Sequence, residues 1–150
     1  MSSYIRSVAD ALSTSLGLSS LTSGATVSRV NWLEIDAESL NSAAIFVMPG
    51  TVDITKVSRT TSQIDVTSMV YVGQRAVTDQ QVDSVMDLAD TVLLLIRSHD
   101  WPEGAGWPEG NSGPMEISTT LNPDDGLQER NIWRAIITPT YRFFTADELG

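Results

Sequence analysis

The sequence contains no cysteine, one lysine (Lys56) and one histidine (His99). Without cysteine, disulfide frameworks, thiolate catalysis and thiolate-bound zinc are excluded. The cations are few, nine Lys and Arg against nineteen Asp and Glu, which argues against broad binding of nucleic-acid phosphates. No apolar run approaches the roughly 20 residues that a membrane-spanning helix needs, and the first residues do not resemble a signal peptide.

The composition is that of an acidic globular protein. The chain has 150 residues, 41% of them hydrophobic and 19% charged, with a formal net charge of −10. A chain of this length can bury about two thirds of its unfolded surface, so we expect residues 1–150 to form a single domain with a substantial core. We expect no membrane association and none of the common kinds of catalysis.

Two segments have the apolar periodicity of amphipathic helices. In residues 4–16, Val8, Leu12 and Leu16 recur at helical spacing. The second helix is predicted over 79–97, with Thr78 as its N-cap and Gln81 completing a capping box. Its expected core stripe consists of Val82, Val85, Met86, Ala89, Leu93 and Ile96.

The rest of the chain reads as β-structure. Four strands are predicted between the helices, at 27–33, 43–48, 52–57 and 64–72, with Pro49 and Gly50 closing the second. Two more follow, at 115–121 and 132–144, and Pro139 places the last at an edge or at a bend. The order α-β-β-β-β-α-β-β predicts an α+β fold: an antiparallel β-sheet with a long hairpin, packed by an N-terminal helix and one longer helix.

No residue pattern indicates a catalytic, cofactor or metal site. His99 is alone, so it cannot form a two-histidine metal site, and no nucleophile motif surrounds it. Four aspartates share one face of the second helix and could form a solvated face, an interface or channel lining, or a weak cation site: Asp79, Asp83, Asp87 and Asp90. We therefore expect no catalytic residues, no cofactor and no bound metal.

Two features of the sequence indicate side chains that are covered by another segment of the chain or by another molecule. Leu88, Leu94 and Leu95 lie outside the expected core stripe, so either a loop of the same chain or a neighbouring subunit should cover them. Trp101 and Trp107 open two copies of Trp-Pro-Glu-Gly in the loop 100–114. This loop either contacts a partner or folds back to cap the end of the domain.

The order of elements resembles that of the tail-terminator proteins of long-tailed bacteriophages and their neck-protein relatives. The matching pieces are the helix around 8–12, the hairpin that includes 64–66, the capped helix from Thr78 and the final strands through 137–143. The resemblance covers nearly the whole chain as a pattern of elements.

The resemblance implies a structural virion protein of the tail or neck, assembled in the bacterial cytoplasm, and no enzyme. Such proteins form a ring, usually a homohexamer, that caps the tail tube protein, ends its polymerisation and joins the head-tail connector protein. DNA passes through the ring without specific binding. A connector or stopper of the neck is the alternative, and a non-viral acidic binding protein is a more distant one.

In a ring of this kind, we expect particular residues to supply the contacts and to line the lumen. The 51–72 hairpin and the 115–144 strand pair are expected to supply subunit contacts, and loop 100–114 to meet a different partner. The candidate subunit-interface residues are Leu88, Leu94, Leu95, Ile64, Val66, Pro139 and Tyr141. The candidate acids of a DNA-repelling lumen are Asp79, Asp83, Asp87, Asp90, Asp124 and Asp125.

Overall fold

The computed structural model describes residues 4–22, 24–31, 42–99, 101, 105–108, 113–121 and 132–146. In chain order the elements are α1 (Tyr4–Leu18), a 3-10 turn (Ser20–Thr22), β1 (Thr26–Arg29), β2 (Ala44–Lys56), β3 (Thr61–Arg75), α2 (Asp79–Ser98), β4 (Pro114–Leu121) and β5 (Ile132–Ala146). The strands form one sheet in the order β1-β2-β3-β5-β4. The α+β class predicted from the sequence is confirmed.

One face of the sheet, here the helix-side face, carries both helices and the main core. Apolar residues of α1 and α2 pack there against alternate residues of β2, β3 and β5. The pattern along α1 explains its position, since Val8, Leu12 and Leu16 are fully buried at helical spacing. Helix α1 ends one residue past Gly17, and the Thr22 hydroxyl donates to the Leu16 carbonyl oxygen beneath its last turn.

The structure has three strands before α2, where the sequence predicted four. The strands predicted at 43–48 and 52–57 are two parts of the single strand β2 (Ala44–Lys56), so the prediction that Pro49 and Gly50 end a strand is wrong. The register against β3 shifts between Pro49 and Thr51 instead, which is the signature of a β-bulge. Gly50 is suited to this bulge because a Cβ there would collide with the Thr67 carbonyl oxygen.

The sheet is mixed rather than wholly antiparallel. Strand β1 pairs parallel to β2 over Thr26–Arg29, and the other three pairings are antiparallel. Of the two alternatives predicted for the strand bearing Pro139, an edge position or a bend, the edge position is wrong, since β5 lies between β3 and β4. The β3–β5 pairing is interrupted between Thr140 and Ile137. Proline has no N–H to donate, so this interruption lets β5 occupy an interior position.

Helix α2 begins as predicted, with Thr78 and Gln81 forming the capping box. Its buried stripe differs from the expected one and consists of Val85, Ala89, Val92 and Ile96. Met86, expected in the core, is exposed. The stripe is rotated because the helix also packs along its Leu88 side, where half-buried leucines meet the same core.

The opposite face of the sheet, here the outer face, is divided into an apolar half and a polar half. At the start of β2, Met48 and Tyr71 are buried in a second cluster with Phe46 packed against it. Nearer the hairpin, the outer face carries a hydrogen bond between the hydroxyls of Thr67 and Thr140, 2.9 Å apart. The sheet is therefore apolar on its helix side and polar over the hairpin half of its outer face.

Candidate assembly surfaces

The tip of the β2–β3 hairpin extends beyond the strand that pairs with its outer side. We call residues 51–60 the hairpin arm. Strand β1 pairs with β2 only over Ala44–Val47, and no other strand of the described residues pairs with the outer edge of β2. Residues 53–60 are all exposed, including Ile54 at 68%. The arm thus presents a free backbone edge and an exposed apolar side chain.

Strand β4 forms the other edge of the sheet. It pairs with β5 on one side, and none of the strands in the described ranges pairs with its other side. Six of its eight residues are exposed, and its apolar residues Met115 and Leu121 are 46% and 62% exposed. Unpaired edges with apolar side chains are templates for pairing with another chain.

Four of the predicted interface residues do not reach the surface. Ile64, Val66, Pro139 and Tyr141 are buried on the helix-side face, where the first two and Tyr141 pack with Val8 of α1. Their strands, β3 and β5, have neighbours on both sides, so these side chains belong to the protein's own core. Alternation in the sequence identified the buried face correctly, but it could not show that the strands are interior.

The three leucines of α2 separate into two groups. Leu88 and Leu95 are half-buried and pack against the core of their own chain, so their expected position opposite the core stripe is corrected. Leu94 is 60% exposed and remains available for a contact with another subunit. A helix that packs against a sheet and flanking segments buries a wider stripe than the sequence periodicity suggested.

The two tryptophans of the repeat fold back onto the domain. The Trp107 indole Nε1 donates to the Ser15 hydroxyl of α1 at 2.9 Å, and its ring lies 5.0 Å from that of Tyr141. Trp101 is half-buried as well, and both rings pack against the main core. Of the two alternatives for these side chains, the structure supports capping of the domain end.

His99 is the centre of this aromatic cap. It terminates α2 in a left-handed conformation with φ of 50°, and its ring lies 4.6 Å from that of Trp107. Its Nδ1 accepts a hydrogen bond of 3.0 Å from the Trp101 indole Nε1. Burial lowers the pKa of His99 and raises the pKa of the neighbouring Tyr141 hydroxyl. The arrangement secures the loop after α2 to the sheet and the first helix.

The aspartates of α2 form an exposed row. Asp79, Asp83, Asp87 and Asp90 are all solvent-exposed. The other two predicted lumen acids, Asp124 and Asp125, lie outside the described residues. The row has the geometry of a solvated negative face and could equally line a channel.

A charged pair that the sequence did not predict lies on the outer face of the sheet. The Arg142 guanidinium donates to both carboxylate oxygens of Asp65, at 2.9 and 3.1 Å, across directly paired positions of β3 and β5. This hydrogen bond, with the attraction of the Arg142 charge, lowers the pKa of Asp65. The two residues are 77 positions apart in the chain, so only the strand pairing brings them together.

Within the described ranges, no group of three His, Asp or Glu side chains is placed to hold a metal ion. None of the described helices is long and apolar enough to cross a membrane. No protein-family model matches the chain, and a search of curated proteins found no match either.

Proposed function

We propose that the chain is a structural subunit of a bacteriophage tail: a tail terminator. It forms a homohexameric ring that caps the tail tube, ends tube polymerisation and joins the tail to the head-side connector. The observation that carries the proposal is that two partly apolar strand edges, at the hairpin arm and at β4 on opposite sides of one sheet, have no strand partner within the described ranges. The role is structural, with no chemical step.

Open edges on opposite sides favour a cyclic assembly. A contact between two different surfaces of the same protein is head-to-tail, and each copy then leaves one surface free for the next. Such a contact produces a ring when the rotation between copies closes and a filament when it does not. A protein that presents two such edges is therefore suited to a closed ring of identical subunits.

The element order also supports the proposal. The order helix, strands with a long hairpin, capped helix and two strands agrees with the resemblance to tail terminators, apart from the one strand fewer before α2. The hairpin is long, with strands of 13 and 15 residues, and its arm extends past the strand that flanks it. Arms of this kind can reach a neighbouring subunit in a ring.

The charge of the chain agrees with a ring through which DNA passes. A net charge of −10 repels phosphates. The exposed aspartate row of α2 supplies four closely spaced negative charges, and we propose that this row faces the lumen. Changing Asp83 and Asp87 to Lys should then slow DNA passage and reduce infectivity. Unchanged infectivity would show that the row does not face the lumen.

The proposal is tested by mass measurement under native conditions and by electron microscopy of phage tails assembled with and without the protein. A native mass of six chains, together with tails of uncontrolled length in its absence, is the expected result. Tails of normal length that lack heads would assign the chain to a connector or stopper of the neck instead. A monomer that does not bind tail tubes would overturn the assembly role.

A further inference from the structure

We infer that the two open edges pair with each other: β4 of one copy adds to the hairpin arm of the next, so that the β-sheet continues from subunit to subunit. The partner of both edges is thus a second copy of this chain. This inference rests on the proposed ring and specifies the contact that builds it.

The strand directions are right for this contact. Three antiparallel pairings separate β2 from β4, so these strands run in opposite directions. When a second copy is placed beside the first in the same orientation, its hairpin arm therefore runs antiparallel to β4. Antiparallel ladders are slightly more stable per residue than parallel ones.

The side-chain faces match as well. On the arm, Ile54 pairs with Ile64, so it lies on the helix-side face. On β4, Ile117 pairs with Pro139, which places it on the same face. A continuous sheet would set the apolar residues of both edges side by side and cover Ile54, which is 68% exposed in the single chain. The outer face would carry only polar side chains from both edges.

Charge and the side-chain faces disfavour neighbouring registers of the new pairing. With Ile54 opposite Ile117, Asp53 lies opposite Ser118 on the outer face. A slip of two residues in one direction would place Asp53 opposite Glu116, and like charges in directly opposed positions are destabilising. A slip of one residue would set the apolar side chains of one edge against the polar ones of the other.

The geometry is consistent with a closed ring. Through the existing pairings, Ile117 lies level with Pro49 of its own β2, so the neighbour's arm is displaced along the strands by about four residues, roughly 14 Å. From one hairpin arm to the next the sheet advances by the four strands β2, β3, β5 and β4, about 19 Å, which gives a strand tilt of roughly 36° to the ring axis. Closed sheets have tilts of about 35–45°, so the displacement has the size that closure needs.

A second copy explains both edges at once, which an unrelated partner does not. With Ile54 opposite Ile117, residues 51–55 of the arm oppose 116–120 of β4, in opposite directions and with matching faces. Two β4 strands could also pair with each other about a two-fold axis. That arrangement would leave both hairpin arms unpaired, and the experiment below distinguishes it.

The test uses the absence of native cysteine. The double variant Asp53→Cys with Ser118→Cys places one thiol on each edge at exposed outer-face positions. Directly opposed antiparallel residues have Cα atoms about 4.5–5.5 Å apart, within the range for a disulfide. Oxidation should give a ladder of covalent multimers up to the closed ring on a non-reducing gel. An equimolar mixture of the two single variants should give linked dimers only.

Matched controls make the result specific to the register. Each single variant alone should stay unlinked. The pair Asp53→Cys with Thr119→Cys should stay unlinked too, since these residues lie on opposite faces. Dimers formed by Ser118→Cys alone would show two-fold pairing and overturn the inference. A ring by native mass without the ladder would also overturn it while leaving the proposed function intact, whereas a monomer that does not bind tail tubes would overturn both.

Discussion

Removal of the Trp107 side chain should destabilise the domain, because this ring links the loop after α2 to α1 and β5. Truncation of a buried tryptophan to alanine costs about 3–5 kcal/mol, and because Trp107 is only half-buried we expect about half of this cost. Its hydrogen bond to the Ser15 hydroxyl contributes about a further 1 kcal/mol. We therefore expect Trp107→Ala to lower the free energy of unfolding by about 3 kcal/mol. For a domain of this size that is a fall in Tm of about 6–12 °C.

The assay is urea denaturation together with a thermal scan on protein kept below its assembly concentration. Trp107→Phe keeps an aromatic ring but loses the donor, so it should cost about 1 kcal/mol. Phe144→Ala, at a side chain that is 62% exposed, is the control and should stay within about 0.5 kcal/mol of the parent. If Trp107→Ala lowered the free energy of unfolding no more than this control, the packing of Trp107 would not stabilise the domain. A contact with a partner would then be the better interpretation of this loop.

Gly50→Ala should lower the free energy of unfolding by more than about 1 kcal/mol, because a Cβ there would collide with a backbone carbonyl across the bulge. Gly17→Ala, with open space around it in α1, should raise the free energy of unfolding by up to about 1 kcal/mol. Urea denaturation measures both variants, and equal effects would show that Gly50 is not needed for the bulge. Burial lowers the pKa of His99, so the unfolded chain binds the proton first as the pH falls below about 6.5, and stability should decline there. NMR titration of this single histidine checks it, and a pKa of 6.5 or higher would refute the burial argument. The paired arginine lowers the pKa of Asp65, so the stabilisation is complete above about pH 4 and is lost as the pH falls through the folded-state pKa. In Asp65→Asn the free energy of unfolding should fall less steeply at acid pH, and an unchanged fall would show that the Asp65–Arg142 pair does not contribute to stability. Leu94→Ser should leave the stability of the single chain within about 0.5 kcal/mol but weaken the ring in native mass measurements if α2 joins subunits. If the ring of the Leu94→Ser variant dissociated at the same dilution as that of the parent, Leu94 would not be part of the subunit interface.

Local signals were sufficient for the positions of the helices and of the hairpin, but not for the buried stripe of α2. The capping box of Thr78 and Gln81 predicted the start of α2 to the residue. Strict alternation predicted the buried face of β3, where Ile64 and Val66 are buried as the pattern requires. These features depend on residues a few positions apart, whose spacing alone determines which side of an element is apolar.

The positions of the strands in the sheet needed the tertiary structure. Pro49 and Gly50 carry the local signature of a strand end, yet a bulge lets the pairing with β3 continue through them. Pro139 carries the signature of an edge, yet β5 is interior because its pairing with β3 is interrupted there. In both cases, pairing over many residues outweighs a local preference worth about 1 kcal/mol.

The acidic composition, the lack of thiols, the two amphipathic helices and the alternating strands follow from the amino-acid sequence by itself, since each depends on composition or on short-range spacing. Which strand edges stay open is a property of strand order, and strand order is set by contacts between distant segments. Ile54 and Ile117 therefore became candidates for the subunit contact only in the folded sheet. Ile64 and Tyr141, which the alternation had singled out, proved to be core.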